Sequence, residues 1–155
     1  MAEIVISASA TVQAAPEVVY GIFADYHQAH PSVLPRPHFG ALVVERGGTG
    51  AGTVFTVEMR QPGGMRTLRM EVSEPQPGRV LVETDTASDL VTTFTVEPVD
   101  GGRHARVTIT TRWTRGGLRG TLERLLMPPL ARPIFLQEIR NVERLARERS
   151  AAAPG

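Results

Sequence analysis

The stretch from Leu118 to Arg149 sets the terms for the rest of the chain. Apolar residues at Leu118, Leu122, Leu125 and Leu126, and again at Phe135, Ile139, Val142, Leu145 and Ala146, recur at three-and-four spacing, with arginines and glutamates filling the other positions. That is the pattern of a helix buried along one stripe, and it needs a wide apolar surface to lie on. Pro128, Pro129 and Pro133 interrupt it. An interior proline removes a donor and crowds the carbonyl four residues back, at ~3 kcal/mol or more, whereas a first turn accommodates it. The pattern therefore predicts a break near Pro128, with a short helix over Leu118–Met127 and a longer, nearly collinear one over Leu130–Arg149.

Most of the chain before this stretch has the two-residue period of strands. Ile4, Ile6, Ala8, Ala10 and Val12 alternate with Val5, Ser7, Ser9 and Thr11, which predicts a first strand with one buried face. Pro16 and Glu17 then suit the first turn of a helix whose apolar face is Val18, Val19, Ile22 and Phe23. A short helical turn is expected around Asp25–Pro31, and a proline-punctuated connection over Ser32–His38. Six further runs read as strands, over Phe39–Arg46, Thr53–Arg60, Met65–Ser73, Arg79–Asp85, Leu90–Pro98 and His104–Thr114. The last two are joined across Val99–Gly102, a hairpin signal. Sequential strands with short turns imply an antiparallel meander. In that order of elements, the long helix lies across the concave face of a curved sheet.

The 155 residues suit one domain, expected over 1–149 with a flexible tail at 150–155, and a chain of this size buries roughly 68–70% of its unfolded surface. Apolar residues make up 41% and charged residues 21%. No apolar run approaches the ~18 residues of a membrane span. Ile4–Val12 alternates instead of forming the apolar block of a signal peptide. The absence of cysteine excludes disulfides, thiolate zinc sites and cysteine nucleophiles, and fits a reducing cytoplasm. A net charge of +1 gives no bulk field toward nucleic acid or anionic membrane.

Three features carry a family resemblance: Val12-Gln13-Ala14-Ala15-Pro16-Glu17-Val18-Val19-Tyr20 with Asp25 closing the first helix, then Gly50-Ala51-Gly52-Thr53, and the terminal helix. With the order of segments from about Ala2 to Arg149, the chain resembles the START-like, or SRPBCC, superfamily of polyketide cyclases and dehydratases, Bet v 1-type allergens and lipid-transfer domains. The His30-Pro31 and Leu34-Pro35 pairs are similar to those of bacterial members. The resemblance implies an α+β helix-grip fold: a curved antiparallel sheet of about seven strands around a long C-terminal helix, with two short helices after the first strand. These motifs mark a fold and not a reaction.

With an aromatic content of only 5%, the side chains are not bulky enough to fill such an interior, and a cavity is expected between sheet and helix. Alternation assigns Phe55, Val57, Met59, Leu68, Met70, Val72, Thr93, Thr111 and Trp113 to its sheet side, and helical spacing adds Leu122, Leu126 and Phe135. Plain core packing fits the same pattern. His30 is a candidate acid or base at the cavity mouth, because an unperturbed imidazole exchanges protons near neutrality. Tyr26 is a candidate inward-pointing phenol, and Asp25 either pairs with His30 or caps the local turn through its side chain. His27 and His30 are three apart, yet the sequence supplies no further ligands, so no metal and no cofactor are expected. Gly47–Gly52 lacks the lysine of a phosphate loop and joins two strands, so it is expected to be a flexible turn. Arg60, Arg66, Arg69, Arg106 and Arg112 belong to the outer sheet face, solvated alongside Glu58, Glu71 and Glu83, with no interleaved aromatic platform for nucleic acid.

Three functions fit these readings. The first is carriage or sensing of a small hydrophobic molecule such as a lipid, isoprenoid or polyketide. The second is a cyclase-like enzyme using the same cavity. The third is a protein-interaction module acting through Ser32–His38 or the Pro128-Pro129 segment. The sequence leaves a homodimer open and points to neither nucleic acid nor stable membrane insertion.

Overall fold

A computed structural model of the chain describes residues 1–61 and 63–152. Strand β1 (Ala2–Val12) is followed by helices α1 (Pro16–Ala24) and α2 (Ala29–Val33). Six strands then follow: β2 (Phe39–Arg46), β3 (Val54–Gln61), β4 (Gly64–Gln76), β5 (Val80–Asp85), β6 (Val91–Val99) and β7 (His104–Arg115). Helix α3 (Gly117–Ala152) ends the described chain. The strands form one curved antiparallel sheet in the order β1-β7-β6-β5-β4-β3-β2. Strands β2 to β7 are a meander, and β1 closes the edge on β7 with Ile4 opposite Trp113 and Ala8 opposite Ile109. Register shifts between Phe39 and Leu42 and between Ser73 and Gln76 are of the kind that bends strands. This is the helix-grip arrangement that the order of segments implied.

Alternation sends Ile4, Ile6, Phe55, Leu68, Met70, Leu81, Phe94, Val107 and Ile109 to the concave face, where all are buried. There Phe55, Leu68, Met70, Leu81, Phe94, Val107 and Ile109 share one core cluster with Val19, Ile22 and Phe23 of α1 and Ile139, Val142 and Ala146 of α3. The turn expected to be flexible at Gly47–Gly52 is docked. Gly50 N–H donates to the Ala24 carbonyl at 2.9 Å, Tyr26 N–H donates to the Gly48 carbonyl at 2.8 Å, and Ala51 N–H donates to Glu74 Oε1 at 2.7 Å. Gly48 has φ +136°, and a Cβ there would meet the His27 ring. The turn thus fixes the backbone on which Tyr26 sits.

Helix α3 corrects the expected break: it runs from Gly117 to Ala152 with all three prolines inside. The carbonyls robbed of a donor are those four residues before each proline, on Arg124, Leu125 and Pro129. All three residues are exposed, so water can satisfy the lost bonds. Without a break the helix keeps turning by ~100° per residue, and the two apolar rows fall on different sides of one rod. Ile139, Val142 and Ala146 are buried, while Leu118, Leu122, Leu125 and Leu126 face solvent. Of the tail expected at 150–155, residues 150–152 continue the helix, and 153–155 lie outside the described residues.

Candidate functional site

The concave face and α3 do not meet everywhere. Between them lies a cavity of about 270 Å³, close to the lower end of ordinary small-molecule sites at ~300–1,000 Å³. Its walls are mostly apolar: Phe55, Val57, Met59, Leu68 and Met70 on β3 and β4, Phe94 and Ile109 on β6 and β7, and Met127, Ile134 and Phe135 on α3. Exposed Arg66, Asp89 and Arg119 stand at its rim. Glu123 also lines it and accepts from Trp113 Nε1 at 3.1 Å and Arg115 Nε at 3.2 Å. Leu34 and His38, in the proline-punctuated connection, line the same opening.

Of the residues assigned to the lining from sequence, Phe55, Val57, Met59, Leu68, Met70, Thr111, Trp113 and Phe135 border the cavity. Val72 is buried in the core beyond it. Thr93 does not line it, because Phe94 and Thr92 take the inward positions of β6. Thr92 Oγ1 lies 2.8 Å from Thr111 Oγ1 across the strands. Leu122 and Leu126 are exposed, carried away by the uninterrupted helix.

The polar end of the cavity lies deep. His30 is placed not at the mouth but inside, 2% exposed, stacked on Tyr26 with ring centroids 4.6 Å apart and edge-on to Phe94. Its Nδ1 donates to the Phe23 carbonyl at 2.7 Å, which fixes Nε2 as the acceptor of a neutral ring. Burial lowers its pKa to about 4, so it is uncharged at neutral pH and does not exchange protons there as a free imidazole would. Asp25 does not pair with the ring. Its carboxylate instead accepts the N–H groups of His27, Gln28 and Ala29 at 3.1–3.2 Å, capping the turn into α2. His27 is exposed and His30 buried, so they share no face. The described residues contain no group of three His, Cys, Asp or Glu side chains placed to hold a metal ion.

Two glutamates assigned to wet faces from sequence are at this buried end. Glu83 follows Leu81 inward on β5, and Glu138 lies on the α3 face that buries Ile139 and Val142. Both place Oε2 3.8 Å from His30 Nε2. Opposite a neutral imidazole at that distance, neither contact is an ion pair. Tyr26 is buried, and its hydroxyl donates to Glu83 Oε2 at 2.6 Å. Glu138 Oε2 has no hydrogen-bond partner among the described residues. Burial raises Glu83 to about 7, an effect that the Tyr26 bond partly offsets. Burial and then the charge of Glu83 raise Glu138 to about 8. Near neutrality this end of the cavity therefore holds at least one carboxylic acid.

The chain is similar to solved structures over nearly its whole length. The KanY protein is 28% identical, with a TM-score of 0.80 over 95% of this chain and 99% of that one. The ZhuI aromatase/cyclase from Streptomyces sp. R1128 shares the fold at 15% identity, with a TM-score of 0.75 over 99% of both chains. A structure from Thermus thermophilus, TTHA0849, does so at 19% identity and a TM-score of 0.74, over 96% of this chain and 99% of that one. No curated protein matches the chain. Residues 3–147 match the family described as polyketide cyclase / dehydrase and lipid transport, and to that family, with its helix-grip sheet and long closing helix, the chain belongs.

Proposed function

We propose that the protein encloses a small, mostly apolar molecule between sheet and helix, as a carrier or sensor. The observation that carries this reading is the 270 Å³ space walled by Phe55, Val57, Leu68, Met70 and Ile109, all buried. An apolar guest there gains by leaving water at roughly 25 cal/mol per Å² of surface. The test is thermal unfolding with neutral probes such as 1-octanol and 2-naphthol. A ligand at 100 times its Kd stabilises the fold by ~2.7 kcal/mol, and Val57→Trp, which takes up part of the space, reduces the shift. A folded protein that no such probe stabilises would refute the reading.

A second reading, a cyclase-like enzyme, is favoured by Glu83, Glu138 and His30 facing the same space. Acids poised near neutral pH suit proton transfer to and from an enclosed carbonyl compound. Steady turnover of a poly-β-ketone analogue, lost in Glu138→Gln while the fold is kept, supports it. Unchanged turnover in that variant counts against it.

A further inference from the structure

At the buried end of the cavity three elements bring lone pairs together. His30 on α2 presents Nε2, because its Nδ1 proton is engaged by the Phe23 carbonyl. Glu83 on β5 and Glu138 on α3 present Oε2 atoms 3.8 Å from that nitrogen. Tyr26, on the α1–α2 connection, supplies one proton, to Glu83. Glu138, 3% exposed, has an Oε2 without a partner and lines the cavity. Asp85, the next inward residue of β5, also lines it, held by Ala87 N–H at 3.2 Å and the Ser88 hydroxyl at 2.6 Å. None of the hydrogen bonds or ion pairs of these groups among the described residues comes from an arginine.

We propose that this end of the cavity receives the ammonium group of an otherwise apolar amine, which donates to Glu138 Oε2, Glu83 Oε2 and His30 Nε2. The proposal rests on the reading of the cavity as a ligand site and adds the class of head group. An alcohol brings one proton to three acceptors. A carboxylate brings none, and it places a further negative charge in a desolvated space that already holds Glu83, Glu138 and Asp85. A protonated amine brings up to three protons and the opposite charge, and a buried charge is tolerated when it is paired and hydrogen-bonded.

In the ligand-free protein burial keeps a proton on at least one of the two glutamates near neutral pH. The ammonium takes the place of one, so binding releases a proton to solvent. Affinity therefore rises with pH while the glutamates are the groups being ionised, and it falls again once the amine, with an aliphatic pKa of ~10, loses its own proton.

The test is isothermal titration of the full chain at pH 7.5 with n-octylamine, 1-octanol and octanoate. The expected result is that octylamine binds about tenfold or more tighter than octanol and octanoate most weakly. The heat of amine binding should vary with the ionisation enthalpy of the buffer, reporting a released proton. Glu138→Gln should lower octylamine affinity more than octanol affinity and so abolish the preference for amine, and Glu83→Gln provides the same comparison should Glu138→Gln fail to fold. Amine and alcohol binding alike, without proton release, would overturn the head-group assignment and leave the ligand site standing. Tightest binding of octanoate, or amine binding that Val57→Trp leaves unchanged, would overturn it as well. Binding of none of the three would remove both readings.

Discussion

Replacing Glu138 by glutamine should stabilise the ligand-free protein, by an amount that grows with pH. An unburied glutamate titrates at 4.5, whereas Glu138 in the fold titrates at about 8. The unfolded chain gives up this proton first, so between those two values the folded form binds more protons, and stability falls as pH rises. At ~1.4 kcal/mol per pH unit the loss from pH 5 to pH 8 is ~4 kcal/mol, against a total stability of ~5–15 kcal/mol for a domain. Glutamine has nearly the same shape and carries no proton to lose. Urea unfolding followed by circular dichroism should therefore show variant and wild type within ~1 kcal/mol at pH 5, with the variant ahead by ~4 kcal/mol at pH 8. In thermal scans a difference of that size corresponds to ~10 °C for a chain of this length. His30 works in the opposite sense: its lowered pKa costs stability as pH falls from 6.5 toward about 4. It is present in both proteins, so to first order it cancels from the difference. A difference that stays constant between pH 5 and pH 8 would show that Glu138 is not held as an acid.

Tyr26→Phe removes the donor to Glu83 Oε2 and should cost ~1–3 kcal/mol in urea unfolding at pH 6, while carbon-13 NMR of Glu83 shows its titration moving upward. Gly120→Ala would place a Cβ 2.1 Å from the Arg115 carbonyl oxygen. Backbone cannot yield there as a side-chain tip would, so a loss of ~1–3 kcal/mol is expected, against ~0.5 kcal/mol or less for exposed Thr121→Ala. Ile139→Ala should cost ~2–5 kcal/mol by leaving a void in the core, whereas Leu126→Ser should change stability by no more than ~0.5 kcal/mol. Equal losses at positions 139 and 126, by thermal unfolding, would contradict the placement of the two apolar rows.

The sheet was legible because alternation is a local property. Strands β1, β3, β4 and β7 each show a two-residue period, and the turns between successive strands of the meander carry glycine, proline or aspartate. The helix was legible in length but not in aim. Leu122 and Ile139 are 17 residues apart in the chain, which at ~100° per residue leaves them ~100° apart around the axis. A break would have removed that mismatch, and the prolines invited one. What the sequence does not display is that the residues whose carbonyls they orphan, Arg124, Leu125 and Pro129, are exposed, which follows from where the rod lies on β1 and β7. Leucine is apolar wherever it points, so Leu118, Leu122, Leu125 and Leu126 looked like core.

The chemistry-bearing end was harder to read, for reasons of parity. In β5 the run Val80-Leu81-Val82 is apolar on both faces, so it does not say which of Glu83 or Thr84 points inward; Leu81 pairs with Phe94, and that tertiary contact decides for Glu83. Phe94 decides β6 in the same way, sending Thr93 outward. Glu138 did leave a trace: it lies three residues after Phe135 and four before Val142, both on the stripe read as buried, so helical spacing places its carboxyl among them. A glutamate in that position breaks the binary pattern, and assigning it to a solvated face by residue type discards the information. Sequences depart from their own pattern mainly where a site demands it. Glu138, with its unpartnered Oε2, is such a departure from the pattern, since a leucine there would lie on the stripe of Phe135 and Val142 without leaving a buried polar group to be satisfied.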